Sequence, residues 1–286
     1  MNSCPYCGSA GDYYFNIYTR IYYRCRECYL IYKSIQEDYH QVLATYSRDD
    51  YFSRYSCDQT DRKRDKLFDY ILDSIEEKKN IGRLLDVGTG CGFFLLAARK
   101  RGWSVKGIEP STGSTQFACE QNNLDVFNGT LQEYPENDRF DVITFINVLD
   151  HSGEPWKEIE KATALLKPGG ILYLRFPNGF LHTSLYQLAS KLELDDRIRK
   201  FLVFHQFSFT PKFLYKLLAD SEFSEITILN SPHSEGDPHN LFLSPTFAQY
   251  VKRFLYLMAK AIKNLTQGKV LLGTSLEVLA TKPKIT

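Results

Sequence analysis

Leu84-Leu85-Asp86-Val87-Gly88-Thr89-Gly90-Cys91-Gly92 decides the fold of this 286-residue chain: Asp86 interrupts an apolar run, and three glycines follow at every second position. Leu84, Leu85 and Val87 read as a buried parallel strand. Gly88, Gly90 and Gly92 let the backbone turn sharply and approach a ligand where a Cβ would collide. Residues Phe93 to Arg101 then open a helix whose N-terminal amides face that ligand. A second apolar strand, Trp103 to Ile108, runs into Glu109 about twenty residues beyond the first glycine, where a carboxylate can accept hydrogen bonds from a ribose diol. Loop plus acid specify an adenosine-type cofactor.

The dinucleotide fingerprint G-x-G-x-x-G needs a third glycine for pyrophosphate and close helix packing, and Phe93 stands at that position. The string instead resembles D-x-G-x-G-x-G, the first motif of class I S-adenosylmethionine-dependent methyltransferases, through Asp86, Gly88, Gly90 and Gly92. Arg139 to His151 resembles the family's fourth strand and following loop, and Leu166 to Asn178 its Pro-Gly-Gly turn into the fifth strand. These signals come in register over roughly residues 82 to 178. The resemblance implies an α/β fold with a Rossmann-like, doubly wound seven-stranded sheet, and S-adenosylmethionine as cofactor. It places Asp86, Gly88, Gly90, Gly92, Glu109 and Asn147 around that cofactor.

A different chemistry opens the chain. Cys4-Pro-Tyr-Cys7 and Cys25-Arg-Glu-Cys28 form C-x2-C-x17-C-x2-C, a spacing expected of a zinc ribbon. Four thiolates leave no open position for water, so the spacing predicts a structural Zn2+. Gly8 supplies the freedom a knuckle turn wants, whereas Tyr29 occupies the matching place after Cys28. Two disulfides would suit a secreted chain, but Met1-Asn-Ser-Cys-Pro lacks a signal peptide's basic and apolar regions, and a cytoplasmic location is expected. Cys57, Cys91 and Cys119 follow no pairing logic.

The expected organisation is a ribbon at 1–38, a Tyr-rich link at 39–60, and a methyltransferase domain at 61–286 with insertions at 179–204 and 232–272. Twelve of the nineteen tyrosines precede residue 57, which marks the N-terminal zone compositionally. In ribbon-bearing methyltransferases such a link looks like a lid over the cofactor, which implies Tyr46 and Tyr51 as contacts; packing of ribbon on core is the alternative. Asp61 to Lys79 predicts a helix with Leu67, Phe68, Ile71, Leu72 and Ile75 on one face. In the insertions, Leu181, Leu185, Leu188 and Leu192 suggest an amphipathic lid. Residues 247, 251, 254, 258, 262 and 265 form a stripe bordered by Lys252, Arg253, Lys260 and Lys263. A basic amphipathic helix can lie on an anionic membrane; the expectation favoured here is packing on the core or on a second subunit. Thr210 and Pro211 read as the N-cap and first residue of the last crossover helix.

A sulfonium methyl transfers in line, so the protein mainly positions donor and acceptor. A hydroxyl acceptor must also lose a proton, and histidine suits that base best. His151 follows the fourth strand at the sheet's carboxyl edge, and His205 precedes the last helix; both are candidate bases, with capping or lid packing as the alternatives. Asp150 and Asn178 flank the same edge. Ribbon-bearing methyltransferases of this type resemble enzymes that modify deoxysugars and glycans. This implies a small polar acceptor, a sugar or a glycan or natural-product metabolite, methylated on oxygen. Carbon transfer is disfavoured, because the C-methylating enzymes look longer. An RNA base methyltransferase, gripping RNA through Arg20, Arg24, Arg26 and Lys33, conflicts with a net charge of +1 and the lack of a basic stripe. A catalytically silent binding module conflicts with the intact glycine motif and Glu109.

Overall fold

The computed structural model describes residues 3–35, 64–194, 199, 202–232 and 245–284. Tyr46, Tyr51, Cys57 and the Tyr-rich link lie outside the described residues. Three antiparallel strands open the chain: β1 (Gly11–Ile17), β2 (Arg20–Cys25) and β3 (Ile31–Lys33). Helix α1 (Asp65–Glu76) buries Leu67, Phe68, Ile71, Leu72 and Ile75, the face its 3.6-residue period predicts. Parallel strands then alternate with helices: β4 (Arg83–Val87), α2 (Phe93–Lys100), β5 (Ser104–Glu109), α3 (Thr112–Glu120), β6 (Val126–Asn128), β7 (Phe140–Ile146), α4 (Pro155–Leu165) and β8 (Leu166–Pro177). Next come α5 (Gly179–Lys191), the two-residue β9 (Phe207–Ser208), α6 (Pro211–Asp220), β10 (Ser224–Ser231), α7 (Pro245–Leu265) and β11 (Ser275–Thr281).

The large sheet has seven strands in the order β10-β11-β8-β7-β4-β5-β6, with β11 antiparallel to both neighbours and the strands from β8 to β6 parallel. This is the Rossmann-like methyltransferase architecture that the glycine motif implies. Its inner strands are apolar on both faces because helices cover both: Leu84, Leu85, Val142, Ile143, Leu172 and Leu174 are all fully buried. Chain connections diverge on either side of β4, toward β5 and toward β7, which opens a crevice outside the strands' carboxyl ends. Thr210 caps α6 by accepting a hydrogen bond from the Phe213 amide at 3.2 Å, with Pro211 at the first turn, as the sequence predicts.

The small sheet holds the main surprise. β9 pairs antiparallel with β3 through Ile31↔Ser208 and Tyr32↔Phe207, so the order is β1-β2-β3-β9 and a piece of the large domain completes the N-terminal sheet. One face of this sheet packs Phe15, Ile17, Tyr22 and Ile31 on Tyr186 of α5. On the other, Cys4, Cys25, Cys28, Leu30 and Tyr32 join the main core beside Phe207, Phe209 and Phe213.

Both inserted helices leave apolar residues of their expected stripes exposed within the chain. In α5 the buried face is His182, Thr183, Tyr186 and Ala189, whereas Leu185, Leu188 and Leu192 are exposed. The reason is docking on the small sheet: Tyr186 donates to the Asn16 carbonyl at 3.0 Å and Gln187 to the Tyr14 carbonyl at 3.0 Å. In α7, Phe254, Met258 and Leu265 of the stripe are exposed and Ala259 is buried, so of the two expected packings, on the core or on a second subunit, these three residues do not make the first.

Candidate functional site

The crevice is built from the glycine loop outward. All three loop glycines have left-handed backbone, with φ of 70° at Gly88, 57° at Gly90 and 80° at Gly92. At Gly88 a Cβ would also run into the Val148 side chain, so the residue is required twice, by conformation and by space. Gly88 borders two adjoining cavities. One is lined by Asp86, Thr89, Gly90, Phe93 and Ile146 together with Arg64, Asp65 and Phe68 at the start of α1. The other is lined by Ile108, Pro110, Gly129, Leu131, Val148, His151 and Glu158, among others. The first is polar at the loop; the second offers the flat apolar walls that suit a base.

Glu109 ends β5 nearly buried, and its two carboxylate oxygens accept from the amides of Gly90 at 2.8 Å and Ser111 at 2.9 Å. An ionised carboxylate has about four acceptor sites, so two amides leave room for a ribose diol. The acid thus braces the loop from which it would recognise a ligand. Burial pushes its pKa up, against the pull of the two amides. Asp86 is buried behind the loop and accepts from Thr144 Oγ1 at 2.6 Å; burial pushes it up to about 7. Asn147 has a φ of 58° and turns its carboxamide oxygen to the guanidinium of Arg175, 2.7 Å away.

A second cluster stands at the rim. His151 closes a 3-10 turn (Leu149–His151) that follows β7, and its ring centroid lies 4.0 Å from that of His205. His205 Nε2 is 3.4 Å from a carboxylate oxygen of Asp150, a charge contact too long for a good hydrogen bond. Both Asp150 oxygens are buried with no hydrogen-bond partner among the described residues, which is costly for a carboxylate unless charge sits beside it. Residues 55 positions apart, Asp150 and His205, meet here because the small sheet delivers one of them. Tyr22 of β2 donates its hydroxyl to the His205 carbonyl at 3.2 Å, and β3 pairs with β9 just beyond it.

Asn178 does not join this group. Its amide donates to the carbonyls of Leu271 and Gly273, and its oxygen caps α5 at Leu181. The residue is fully buried and used as a brace. Two residues escaped the sequence reading. Thr144 looks like any strand residue until Asp86 needs a donor. Glu158 sits in α4 between Lys157 and Glu160 like a solvated charge, yet it faces the second cavity, where burial pushes it up to about 7. Helical periodicity does place Glu158 beside the buried Ile159 and Ala162, the one available signal.

The four cysteines also converge. Their sulfurs all lie within 4.8 Å of one another, with Cys4–Cys28 at 3.6 Å and Cys7–Cys25 at 3.5 Å. A tetrahedron with Zn–S bonds of about 2.3 Å has edges near ~3.8 Å, whereas a disulfide needs about 2.05 Å. The amide of Gly8 donates to the Cys4 carbonyl at 2.9 Å, closing the first knuckle. Cys91 is a buried filler in the loop, and Cys119 lies half-buried in α3.

A family model of the methyltransferase domain matches residues 58–227. A ubiquinone biosynthesis O-methyltransferase of Actinobacillus pleuropneumoniae is 35% identical over 116 residues, covering 36% of this chain and 50% of that protein. One of the same description from Coxiella burnetii is 33% identical over 113 residues, covering 37% of this chain and 48% of that protein. The chain therefore spans about half the length of the curated relatives it matches. Among solved structures, a SAM-dependent methyltransferase from Archaeoglobus fulgidus superposes with a TM-score of 0.51 at 18% identity, over 77% of this chain and 94% of the other. A phosphoethanolamine N-methyltransferase from Haemonchus contortus, solved with S-adenosyl-L-methionine, gives 0.52 at 17% identity, over 89% and 62%. At such identities the likeness is one of fold.

Proposed function

This chain belongs to the class I S-adenosylmethionine-dependent methyltransferase family, and from that premise we propose that it methylates a hydroxyl of a small polar acceptor, a sugar or another metabolite of a glycan or natural-product pathway. The observation that carries the reading is the meeting of Asp150, His151 and His205 beside the glycine-loop cavities. S-adenosylmethionine, when bound, supplies an electrophilic methyl. The residues present fit it: Glu109 keeps acceptor sites for ribose hydroxyls, Gly88 leaves space that a side chain would fill, and Ile108, Pro110 and Leu131 can flank the adenine. Asp86 and Asn147 sit at the loop and strand end from which the amino-acid end would be held. Tyr46 and Tyr51 complete the proposed cofactor set.

His205 takes the acceptor's proton at Nε2 or passes it to His151, and the buried Asp150 stabilises the imidazolium that results. Cys4, Cys7, Cys25 and Cys28 hold a structural Zn2+, which fixes the small sheet and through it the His205 segment. Oxygen transfer is supported by the names of the relatives. Those names also favour a second acceptor class, a hydroxyl on an intermediate of ubiquinone biosynthesis. Transfer of labelled methyl to a panel of both hydroxyl classes decides between them. His205→Ala and His151→Ala should lower kcat by about 10²- to 10⁴-fold while leaving cofactor affinity within a few fold. Unchanged turnover in both variants would sink the histidine base and leave positioning alone.

A further inference from the structure

Helix α7 runs for 21 residues, and among its described side chains only Ala259 is buried. Ala259 is 2% exposed, and its carbonyl accepts a hydrogen bond from Asn230 at 3.1 Å; Tyr256, Ile262 and Lys263 are half-buried around it. Of the other described side chains of the helix, those at 250, 253–255, 257, 258, 260, 261, 264 and 265 are exposed. Tyr250, Phe254, Leu257, Met258 and Leu265 recur at the spacing of one helical face, with exposures of 66%, 61%, 54%, 46% and 84%. A soluble surface normally scatters such residues singly, so a contiguous apolar face of this length marks an interaction site.

Charge identifies the partner. From residue 238 to residue 276 the chain contains no Asp or Glu, whereas the exposed Arg253 and Lys260 border the apolar face. In a chain whose net charge is only +1, this concentration is local. A second copy fits poorly, because a two-fold pairing of α7 on itself would bring these cations together with no acid on the helix to answer them. Helix α5 also exposes Leu185, Leu188 and Leu192, but its flank mixes Lys191 with Glu193 and carries no such field. No helix among the described residues is long and apolar enough to cross a membrane. An apolar face bordered by basic side chains is instead the pattern of a helix that lies in the interfacial plane.

We propose that α7 docks this protein on an anionic membrane surface, its Phe254, Met258 and Leu265 face entering the headgroup boundary and Arg253 and Lys260 meeting anionic lipid. The proposal is independent of which acceptor is methylated. Flotation of the full chain with phosphatidylcholine vesicles, with and without phosphatidylglycerol, tests it. The wild type should float with the anionic vesicles and should be released as salt shortens the Debye length. A Phe254→Ser, Met258→Ser double variant should lose at least about tenfold in vesicle affinity. Arg253→Glu with Lys260→Glu should lose about fivefold or more per residue on anionic vesicles. The substituted side chains are largely exposed, so melting temperatures should stay near the wild-type value, and a matching melt separates lost docking from lost folding. No flotation of the wild type, or binding indifferent to salt and to Arg253 and Lys260, would overturn the proposal. A concentration-dependent dimer dissolved by the Phe254, Met258 substitutions would overturn it too, by assigning the face to a second copy.

Discussion

Placed beside the seven-stranded sheet, whose central strands are buried by helices on both faces, the four-stranded sheet owns almost no core. Its inward residues on one side rest on Tyr186 of α5, and on the other they merge with Phe207, Phe209 and Phe213. Even its fourth strand is borrowed. The large sheet is held by apolar area, the dominant favourable term in folding, whereas the small one leans on a borrowed strand and neighbouring side chains, beside a close cluster of four cysteines. The contrast teaches that a ribbon need not be an appendage: here it is the mount for one half of the histidine pair.

The strongest way to break this comparison is Cys25→Ser. Metal analysis of the purified protein should fall from one zinc per chain to none, and the N-terminal sheet should melt well below the core, since a unit this small depends on its ligand set. Turnover should fall by about 100-fold or more as His205 loses its support. A single unchanged melting transition, or zinc-free wild type with Cys4 and Cys7 oxidised, would show that the small sheet stands without metal.

The large sheet's dependence on burial is sharpened by Asp86. In the folded state it titrates at about 7, so from the ordinary carboxylate range up to there the folded protein keeps a proton that the unfolded chain has released. Stability therefore falls as pH rises across that window and is level above it. Asp86→Asn should raise the stability of the cofactor-free protein at pH 8 by up to about 4 kcal/mol, with the gain vanishing near pH 4. Thermal melts at the two pH values check this, and equal melting of variant and wild type at pH 8 would mean that the buried charge carries no penalty.

Glu109→Ala should weaken S-adenosylmethionine by roughly 1 to 3 kcal/mol, measured by titration calorimetry, through loss of the ribose bonds and of the brace on Gly90. Tight NADH binding in place of S-adenosylmethionine would reverse the cofactor reading. The smallest effect belongs to Tyr22→Phe, which deletes one hydroxyl donor to the His205 carbonyl and should cost about 1 kcal/mol. A drop in kcat with a shifted pH profile and unchanged cofactor affinity identifies Tyr22 as a positioning residue; a lower melting temperature with normal kinetics makes it structural only.

Much of the large sheet was legible because its signals are local. Asp86 to Gly92 carry strand, turn and helix start in one string, and Thr210-Pro211 cap α6 where the sequence places them. Cysteine spacing likewise foretold which sulfurs would meet. The β3–β9 pair was not legible, since two residues carry no periodicity and their partner lies far along the chain. Periodicity also names which residues share a helix face without saying which face turns inward. Leu185, Leu188 and Leu192 read as the apolar face of a lid, but Tyr186 and Gln187 decide the docking of α5 through hydrogen bonds to β1. The same ambiguity hid the outward face of α7. Asp150 and Glu158 show the complementary limit: a carboxylate reads as solvated until packing removes its water.

The pairing of β3 with β9 also sets an order of events during synthesis. The four cysteines are complete by residue 28, so their site can close while the rest of the chain is still being made, yet β3 keeps an open edge until Phe207 and Ser208 emerge after β8 and α5. Closing so long a loop is slow relative to local steps. A nascent or truncated chain ending before β9 would present β3 as an unpaired edge beside exposed Leu30 and Tyr32, a template for association with other chains. The strand that carries His205 into place is thus also the strand that protects the growing protein from its neighbours.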